Sequence, residues 1–116
     1  DGYLITLAVE ELRRVLKPGG EAYLTLCSKN APAFAQAESP QIDADTRLKL
    51  KPGPEYGLAH WYADMNSLRK LLQAFRLLRV WHVENCVIDE AEKNSWHYHV
   101  LVQKRENESG YPQPVQ

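Results

Sequence analysis

The spacing of apolar residues at the start of the chain predicts an amphipathic helix. Asp1 stands where its side chain can cap the first turn of that helix. An alternative interpretation makes the apolar residues 3–7 the end of a β-strand. The helix is favoured because one apolar stripe continues at helical intervals through the whole segment. The residues of this stripe are Leu4, Ala8, Leu12 and Val15.

A sharp turn and a buried strand are predicted directly after this helix. A residue before proline is displaced from helical geometry, so we expect the helix to stop at Lys17. Pro18 and Gly19 suit the second and third positions of a type II turn, whose third residue needs a positive φ. Residues 21–27 follow and are rich in Tyr, Leu and Thr, which is typical of a strand.

Residues 29–59 are predicted to form a long loop with little regular structure. Proline and glycine recur there, at Pro32, Pro40, Pro52, Gly53, Pro54 and Gly57. These residues interrupt both helices and strands, and we expect one short helical turn at most, within residues 31–37. Loops of this length in a compact domain are usually functional or mobile.

The second half of the chain predicts a helix followed by two strands. Asp64 can cap a helix with apolar residues at helical spacing, namely Leu68, Leu71, Leu72 and Phe75. Residues 77–87 are apolar on both faces, which predicts a buried strand. Residues 96–104 alternate and predict the last strand, antiparallel to the previous one because only residues 89–95 join them. Residues 105–116 have no apolar periodicity and are expected to form a flexible tail.

The sequence RVLKPGG at residues 14–20, followed by a strand, resembles the class I, Rossmann-like S-adenosylmethionine-dependent methyltransferases. The match lies at the junction that enters the fifth strand of their sheet. In this family a helix then leads to a sixth strand, and a seventh returns antiparallel between the fifth and the sixth. The sequence LTLCSK at residues 24–29, and a helix that ends in Phe75, are similar to the tellurite-resistance-like branch. Ala74 stands where that family often has glycine.

The resemblance implies an α/β fold, with residues 1–104 as the carboxyl-terminal half of a methyltransferase domain. The intact protein is then expected to transfer a methyl group from S-adenosylmethionine to an unidentified acceptor, such as a small molecule. The main cofactor site of this fold needs a Gly-rich loop after a strand, and the chain has no such sequence. We therefore expect the cofactor-binding residues upstream of Asp1, in an amino-terminal half of the same domain. This chain alone is expected to be inactive.

Residues that could form an acceptor pocket follow the first predicted strand and precede the second predicted helix. Ligands of open α/β sheets bind beyond the carboxyl ends of parallel strands. The candidates are Ser28, Lys29 and Asn30 at the strand end, and His60, Trp61 and Tyr62 where the loop returns. An alternative interpretation is that the aromatic residues only pack around the start of the Asp64 helix. We identify no catalytic residue, because methyl transfer from a sulfonium cofactor needs no protein nucleophile.

Two other functions are compatible with the sequence. The chain could be a non-enzymatic interaction or regulatory module derived from the methyltransferase fold. It could also bind a metal through His82, His97 and His99, because the last two share one face of a predicted strand. The carboxylates and cysteines lack matching spacing, so we predict that no metal is bound.

Length, charge and cysteine content argue against several kinds of binding partner and location. At 116 residues the chain has room for one domain, and its net charge of −1 gives no basis for binding nucleic acid or an anionic membrane. The apolar run at residues 3–9 is too short to span a bilayer. Cys27 and Cys86 both fall in predicted strands and are expected to be reduced, buried side chains. These features predict a cytoplasmic protein.

Overall fold

A five-stranded mixed sheet with two helices packed on one face forms the core of the protein. The computed structural model describes residues 1–35, 42–48, 54, 58–89 and 94–106. The predicted connection at residues 89–95 and the predicted tail at residues 105–116 lie largely outside these residues. The elements in chain order are α1 (Gly2–Val15), β1 (Glu21–Ser28), α2 (Pro32–Ala35), β2 (Thr46–Leu48), β3 (Ala59–Ala63), α3 (Met65–Leu71), β4 (Phe75–Asn85) and β5 (Ser95–Lys104).

The strands are arranged in the order β2-β3-β1-β5-β4. The last strand in the chain, β5, lies between β1 and β4 and is antiparallel to both. Leu26 of β1, Tyr98 of β5 and His82 of β4 stand side by side in this register. The insertion of β5 between the two earlier strands confirms the predicted strand order.

The first helix forms as predicted, but a different face of it packs against the sheet. Asp1 caps the helix, and its carboxylate accepts a hydrogen bond of 2.9 Å from the Leu4 amide. The strand interpretation of residues 3–7 is therefore wrong. Leu4 and Val15, expected on the packed face, are 60% and 59% exposed. The residues that contact the core are Ile5, Val9, Leu12 and Leu16. Almost every residue from 3 to 9 is apolar, so two adjacent stripes fit helical spacing, and only contact with the sheet selects between them.

The turn between α1 and β1 has the predicted conformation. Gly19 has a φ of 79°, and the Gly20 amide donates a hydrogen bond of 2.8 Å to the Lys17 carbonyl. Both features belong to a type II turn with glycine at its third position. Backbone hydrogen bonds also join this turn to the end of β5, from Gly19 N to Lys104 O and from Lys104 N to Gly20 O. The turn therefore fixes where β1 enters the sheet.

The strand predicted at residues 77–87 corresponds to β4 (Phe75–Asn85), and the prediction that it is buried on both faces is wrong. β4 lies at an edge of the sheet and most of its residues are exposed, including Arg79 and Trp81. An edge strand with one uncovered face cannot bury both sets of side chains. The preceding helix also ends at Leu71, earlier than predicted, and Phe75 begins β4 instead. Phe75 is nevertheless only 2% exposed, because it packs at the base of α3.

One face of the sheet carries the hydrophobic core. Leu26 of β1 and Tyr98, Val100 and Val102 of β5 are buried there. The helix α3 contributes Leu68, which is fully buried, and the apolar side of α1 packs against the same cluster. Side chains alternate between the faces of a strand, so the residues between these core positions point to the opposite side. We call that side the open face and define it by Tyr23, Arg79, Trp81, His99 and Leu101, which adjoin one another in the strand register.

The long loop contains more regular structure than the prolines and glycines predict. The short helix α2 confirms the single helical turn expected there. The strand β2 lies within the predicted loop, and β3 begins at its end. These two strands pair antiparallel with each other, and β3 also pairs parallel with the last residues of β1, through Cys27 and Ser28. None of the helices in the described ranges has the length and apolar content needed to cross a membrane.

Candidate functional site

The carboxyl end of β1 brings together several of the predicted site residues. Ser28 ends the strand, and the Lys29 amide donates a hydrogen bond of 2.8 Å to the Ala63 carbonyl of β3. The parallel pairing places Tyr62 beside Cys27. Ligands of open α/β sheets bind at this edge, so the position agrees with an acceptor pocket. The predicted pocket residues at this edge are Ser28, Lys29, Asn30 and Tyr62.

Ser28 has a structural environment that the sequence does not predict. Its side chain is fully buried, and its Oγ shares a hydrogen bond of 2.7 Å with His82 Nε2. The amide of Asn30 donates a second hydrogen bond, of 3.1 Å, to the same oxygen. The His82 ring in turn stacks on Tyr98, with ring centroids 4.2 Å apart. The two hydrogen bonds hold the end of β1 in place, and the burial of the Ser28 hydroxyl keeps it out of contact with solvent.

Lys29 connects the long loop to the start of α3. Its ammonium group lies 2.6 Å from Asp45 Oδ1 and 3.0 Å from Asp64 Oδ2. The hydrogen bond to Asp45, with a smaller contribution from Asp64, raises the pKa of Lys29 despite its partial burial. Lys29 is therefore a fixed cation between two carboxylates, and it holds elements together that are distant in the sequence.

A buried arginine and a phenylalanine lie beside Lys29. The Arg47 guanidinium lies 4.1 Å from the centroid of the Phe34 ring, and Lys29 Nζ lies 5.6 Å from the same centroid. Phe34 also contacts the ring of Tyr62, at a centroid distance of 5.4 Å. We call Lys29, Phe34, Arg47 and Tyr62 the cationic–aromatic wall. Phe34 and Arg47 were not predicted as site residues. The one sequence signal was for Arg47, which directly follows the short acidic segment at residues 43–46.

Of the remaining two predicted pocket residues, Trp61 lies on the other face of β3, whereas His60 shares the face of Tyr62 and adjoins the cationic–aromatic wall. Trp61 alternates with Tyr62 along β3, packs against the core and lines a cleft of about 470 Å³ between α1 and α3. His60 pairs with Arg47 in the register of β2 and β3. The structure therefore does not bring all six predicted residues into one pocket. For Trp61, packing at the start of α3 is the arrangement observed.

The three histidines proposed as metal ligands do not converge. His97 and His99 flank Tyr98 on β5 and therefore point to the face opposite Tyr98. His82 stacks on Tyr98 and so lies on the other side of the sheet. Within the described ranges, no three potential ligand side chains are grouped closely enough for a metal ion. The hypothesis that these three histidines bind one metal ion is therefore wrong. That the protein binds no metal stays a prediction.

Comparison with known proteins identifies the fold. No protein-family model and no curated protein matches this chain. Among solved structures, a SAM-dependent methyltransferase from Methanosarcina mazei is similar, with a TM-score of 0.65 at 19% sequence identity. The chain has a Rossmann-like methyltransferase fold. The similarity covers 90% of this chain but 53% of that methyltransferase, so the chain spans about half of its length.

Proposed function

We propose that this chain is the carboxyl-terminal half of a methyltransferase domain, and that the intact protein transfers a methyl group from S-adenosylmethionine to an acceptor. The observation that carries this proposal is the position of β5, antiparallel between β1 and β4, in a sheet similar to that of a SAM-dependent methyltransferase. The tellurite-resistance-like branch and the cytoplasmic location stay predictions from the sequence.

The described residues do not fit the main cofactor site. Among them Gly19 alone is a glycine with positive φ, and it lies in the turn before β1, at the amino end of that strand. Phosphate- and nucleotide-binding glycine loops of α/β sheets instead follow the carboxyl end of a strand. We therefore assign the cofactor site to the amino-terminal half of the domain. The residues of this chain are given no role in binding the cofactor.

The role of this half is to position the acceptor. S-adenosylmethionine supplies an activated methyl group, so catalysis depends mainly on aligning the acceptor with it. The cationic–aromatic wall stands at the sheet edge where ligands bind; the charge of Lys29 is paired with Asp45 and Asp64, and the Arg47 guanidinium is held by backbone carbonyls. Such a wall is rigid and can exclude water from one side of an acceptor without itself reacting.

The experiment uses the intact protein, which under this proposal includes the half that precedes Asp1. We expect calorimetric titration to show one S-adenosylmethionine site per chain, and labelled cofactor to transfer its methyl group to a component of a cell extract. An intact protein with neither binding nor transfer would contradict the proposal. In that case the interaction-module hypothesis, which the exposed aromatic residues of the open face also favour, would stand in its place.

A further inference from the structure

Residues 43–47 connect parts of the protein that are far apart in the sequence, and we call them the strap. Asp45 pairs with Lys29 at the end of β1, with 2.6 Å between the charged groups. Arg47 belongs to the cationic–aromatic wall. Asp43, at the other end of the strap, contacts the start of α1. The strap therefore lies between the wall and the first turn of α1.

The two carboxylate oxygens of Asp43 have different partners. Oδ1 accepts hydrogen bonds from within the strap, of 2.7 Å from the Thr46 hydroxyl and of 3.0 Å from the Asp45 amide. Oδ2 accepts a hydrogen bond of 3.0 Å from the Gly2 amide of α1, 41 positions away in the sequence. Because Thr46 is fully buried, its hydroxyl fixes the orientation of the carboxylate. One side chain thus shapes the strap with one oxygen and ties it to α1 with the other.

The start of α1 is a favourable position for the charge of Asp43. The first amides of a helix have no partner within the helix and carry a partial positive charge. The Asp1 carboxylate accepts a hydrogen bond from the Leu4 amide. Asp43 performs the same task for Gly2 from outside the helix. The Gly2 amide, followed by the Thr46 hydroxyl, lowers the pKa of Asp43 below its ordinary value of 3.8. The contact is therefore charge-assisted at neutral pH.

We propose that Asp43 is a positioning residue that couples the cationic–aromatic wall to the half of the domain that binds the cofactor. This inference rests on the proposal that such a half precedes α1 in the intact protein. A displacement of the first turn of α1 is passed through Gly2 and Asp43 to the strap, and from there to Arg47 in the wall. Coupling between two binding sites is reciprocal, so an acceptor at the wall would also change the affinity for the cofactor.

Asp43→Asn separates the two contacts of the carboxylate. Its single carbonyl oxygen can keep the hydrogen bonds from Thr46 and Asp45, whereas its amide group can only donate and gives the Gly2 amide no acceptor. The substitution therefore breaks the link to α1 and leaves the strap intact. Asp89→Asn is the matched control, because it makes the same change at an exposed aspartate beyond the end of β4.

A double-mutant cycle on the intact protein tests the coupling without any ligand. Asp1→Ala removes the acceptor of the Leu4 amide and loosens the first turn of α1. We expect it to speed amide hydrogen exchange of residues 42–48 by about threefold, the effect of a charged contact at a helix N-terminus. In the Asp43→Asn background Asp1→Ala should leave this exchange unchanged, whereas in the Asp89→Asn background the full effect should remain. A purely local role for Asp43 predicts no effect of Asp1→Ala in any background, and that result would overturn the proposal. So would an equal effect in all three.

Addition of S-adenosylmethionine separates this inference from the proposed function. In the intact protein we expect saturating cofactor to slow the exchange of residues 42–48 by about threefold, and Asp43→Asn to abolish this response. Cofactor binding that leaves the exchange of residues 42–48 unchanged, or that slows it equally in Asp43→Asn, would overturn the coupling. An intact protein that passes the mutant cycle but binds no cofactor would instead refute the proposed function, with the link between α1 and the strap retained.

Discussion

Gly19 holds a backbone conformation that other residues rarely adopt. Its φ of 79° is required by the turn that ends α1 and starts β1. A side chain added there would meet the side chain of Glu106, at 3.3 Å, which is flexible and can move. The penalty for substitution therefore comes mainly from the backbone and not from lack of space.

We predict that Gly19→Val lowers the free energy of unfolding by about 1–3 kcal/mol, the usual cost of a strained backbone at a β-branched residue. Lys17→Val is the control, because Lys17 is exposed in the same turn without a positive φ. Denaturant titration measures both variants. Equal unfolding midpoints would contradict this account of the turn.

Asp64 combines a helix cap with a charge interaction. Its carboxylate accepts a hydrogen bond of 2.8 Å from the Ser67 amide, and the Ser67 hydroxyl accepts one of 3.0 Å from the Asp64 amide. The Ser67 amide and, less strongly, Lys29 lower the pKa of Asp64 from its ordinary value of 3.8. The folded protein therefore binds this proton less readily than the unfolded chain. The resulting stabilisation is complete above the unfolded-chain pKa and is lost as the pH falls through the lower folded pKa.

We predict that Asp64→Ala costs about 1 kcal/mol of stability at neutral pH, the usual value of an N-cap. Asp64→Ser keeps a capping oxygen without the charge, so it should retain most of the stability at pH 7 and reduce its decline in acid. Thermal unfolding from pH 7 to pH 2 distinguishes the two effects. If Asp64→Ala and Asp64→Ser lost the same stability at pH 7, the capping interaction would be unimportant.

At the scale of elements, Arg47 joins the pieces of the long loop into one structure. It is only 7% exposed, and its guanidinium donates to the carbonyls of Phe34, Ala44 and Thr46. These carbonyls belong to α2, to the turn before β2 and to β2 itself. A planar guanidinium can satisfy several acceptors at fixed angles, which the ammonium of lysine cannot do.

We predict that Arg47→Met lowers the free energy of unfolding by about 1–3 kcal/mol, since it removes the donor to three carbonyl groups that are buried or partly buried. Arg47→Lys should recover little of this loss. Arg69→Met is the matched control, because Arg69 is exposed on α3. Limited proteolysis reports on the same variants. We expect faster cleavage within residues 42–48 for Arg47→Met, and unchanged cleavage there would refute the anchoring role.

At the scale of the whole molecule, β1 has a largely unpaired edge among the described residues. The neighbour β3 pairs with β1 only through Cys27 and Ser28, at the carboxyl end. The backbone of residues 21–26 on that side has no strand partner among the described residues. An edge of this kind can accept another strand, and in an isolated chain it favours association.

We predict that this chain by itself binds S-adenosylmethionine weakly or not at all and has no methyltransferase activity. The reason is that a Gly-rich loop at the carboxyl end of a strand is absent from its sequence. Calorimetric titration of the purified chain is the measurement, with the intact protein as the positive control. Micromolar binding at one site per chain would show that the other half is not needed for the cofactor.

The sequence by itself determined the helix caps, the turn before β1 and the alternating pattern of β5. The cap at Asp1, the turn at Gly19, the capped start of α3 and the alternation in β5 are each set by residues within a few positions of one another. The fold class and the position of β5 were predicted from the resemblance of residues 14–20 and of the following elements to a known family. These interactions join residues that are close in the sequence, which is why they can be predicted from it.

Tertiary contacts decided the rest. The choice between Leu4 and Ile5 as the packed side of α1 depends on which side meets the sheet, and both satisfy the same periodicity. The edge position of β4 depends on what lies beside it in space. The contact of Ser28 with His82 joins residues that are 54 positions apart across an intervening strand. Such interactions depend on the free energy of the whole packed structure. No short segment of the sequence contains enough information to predict them.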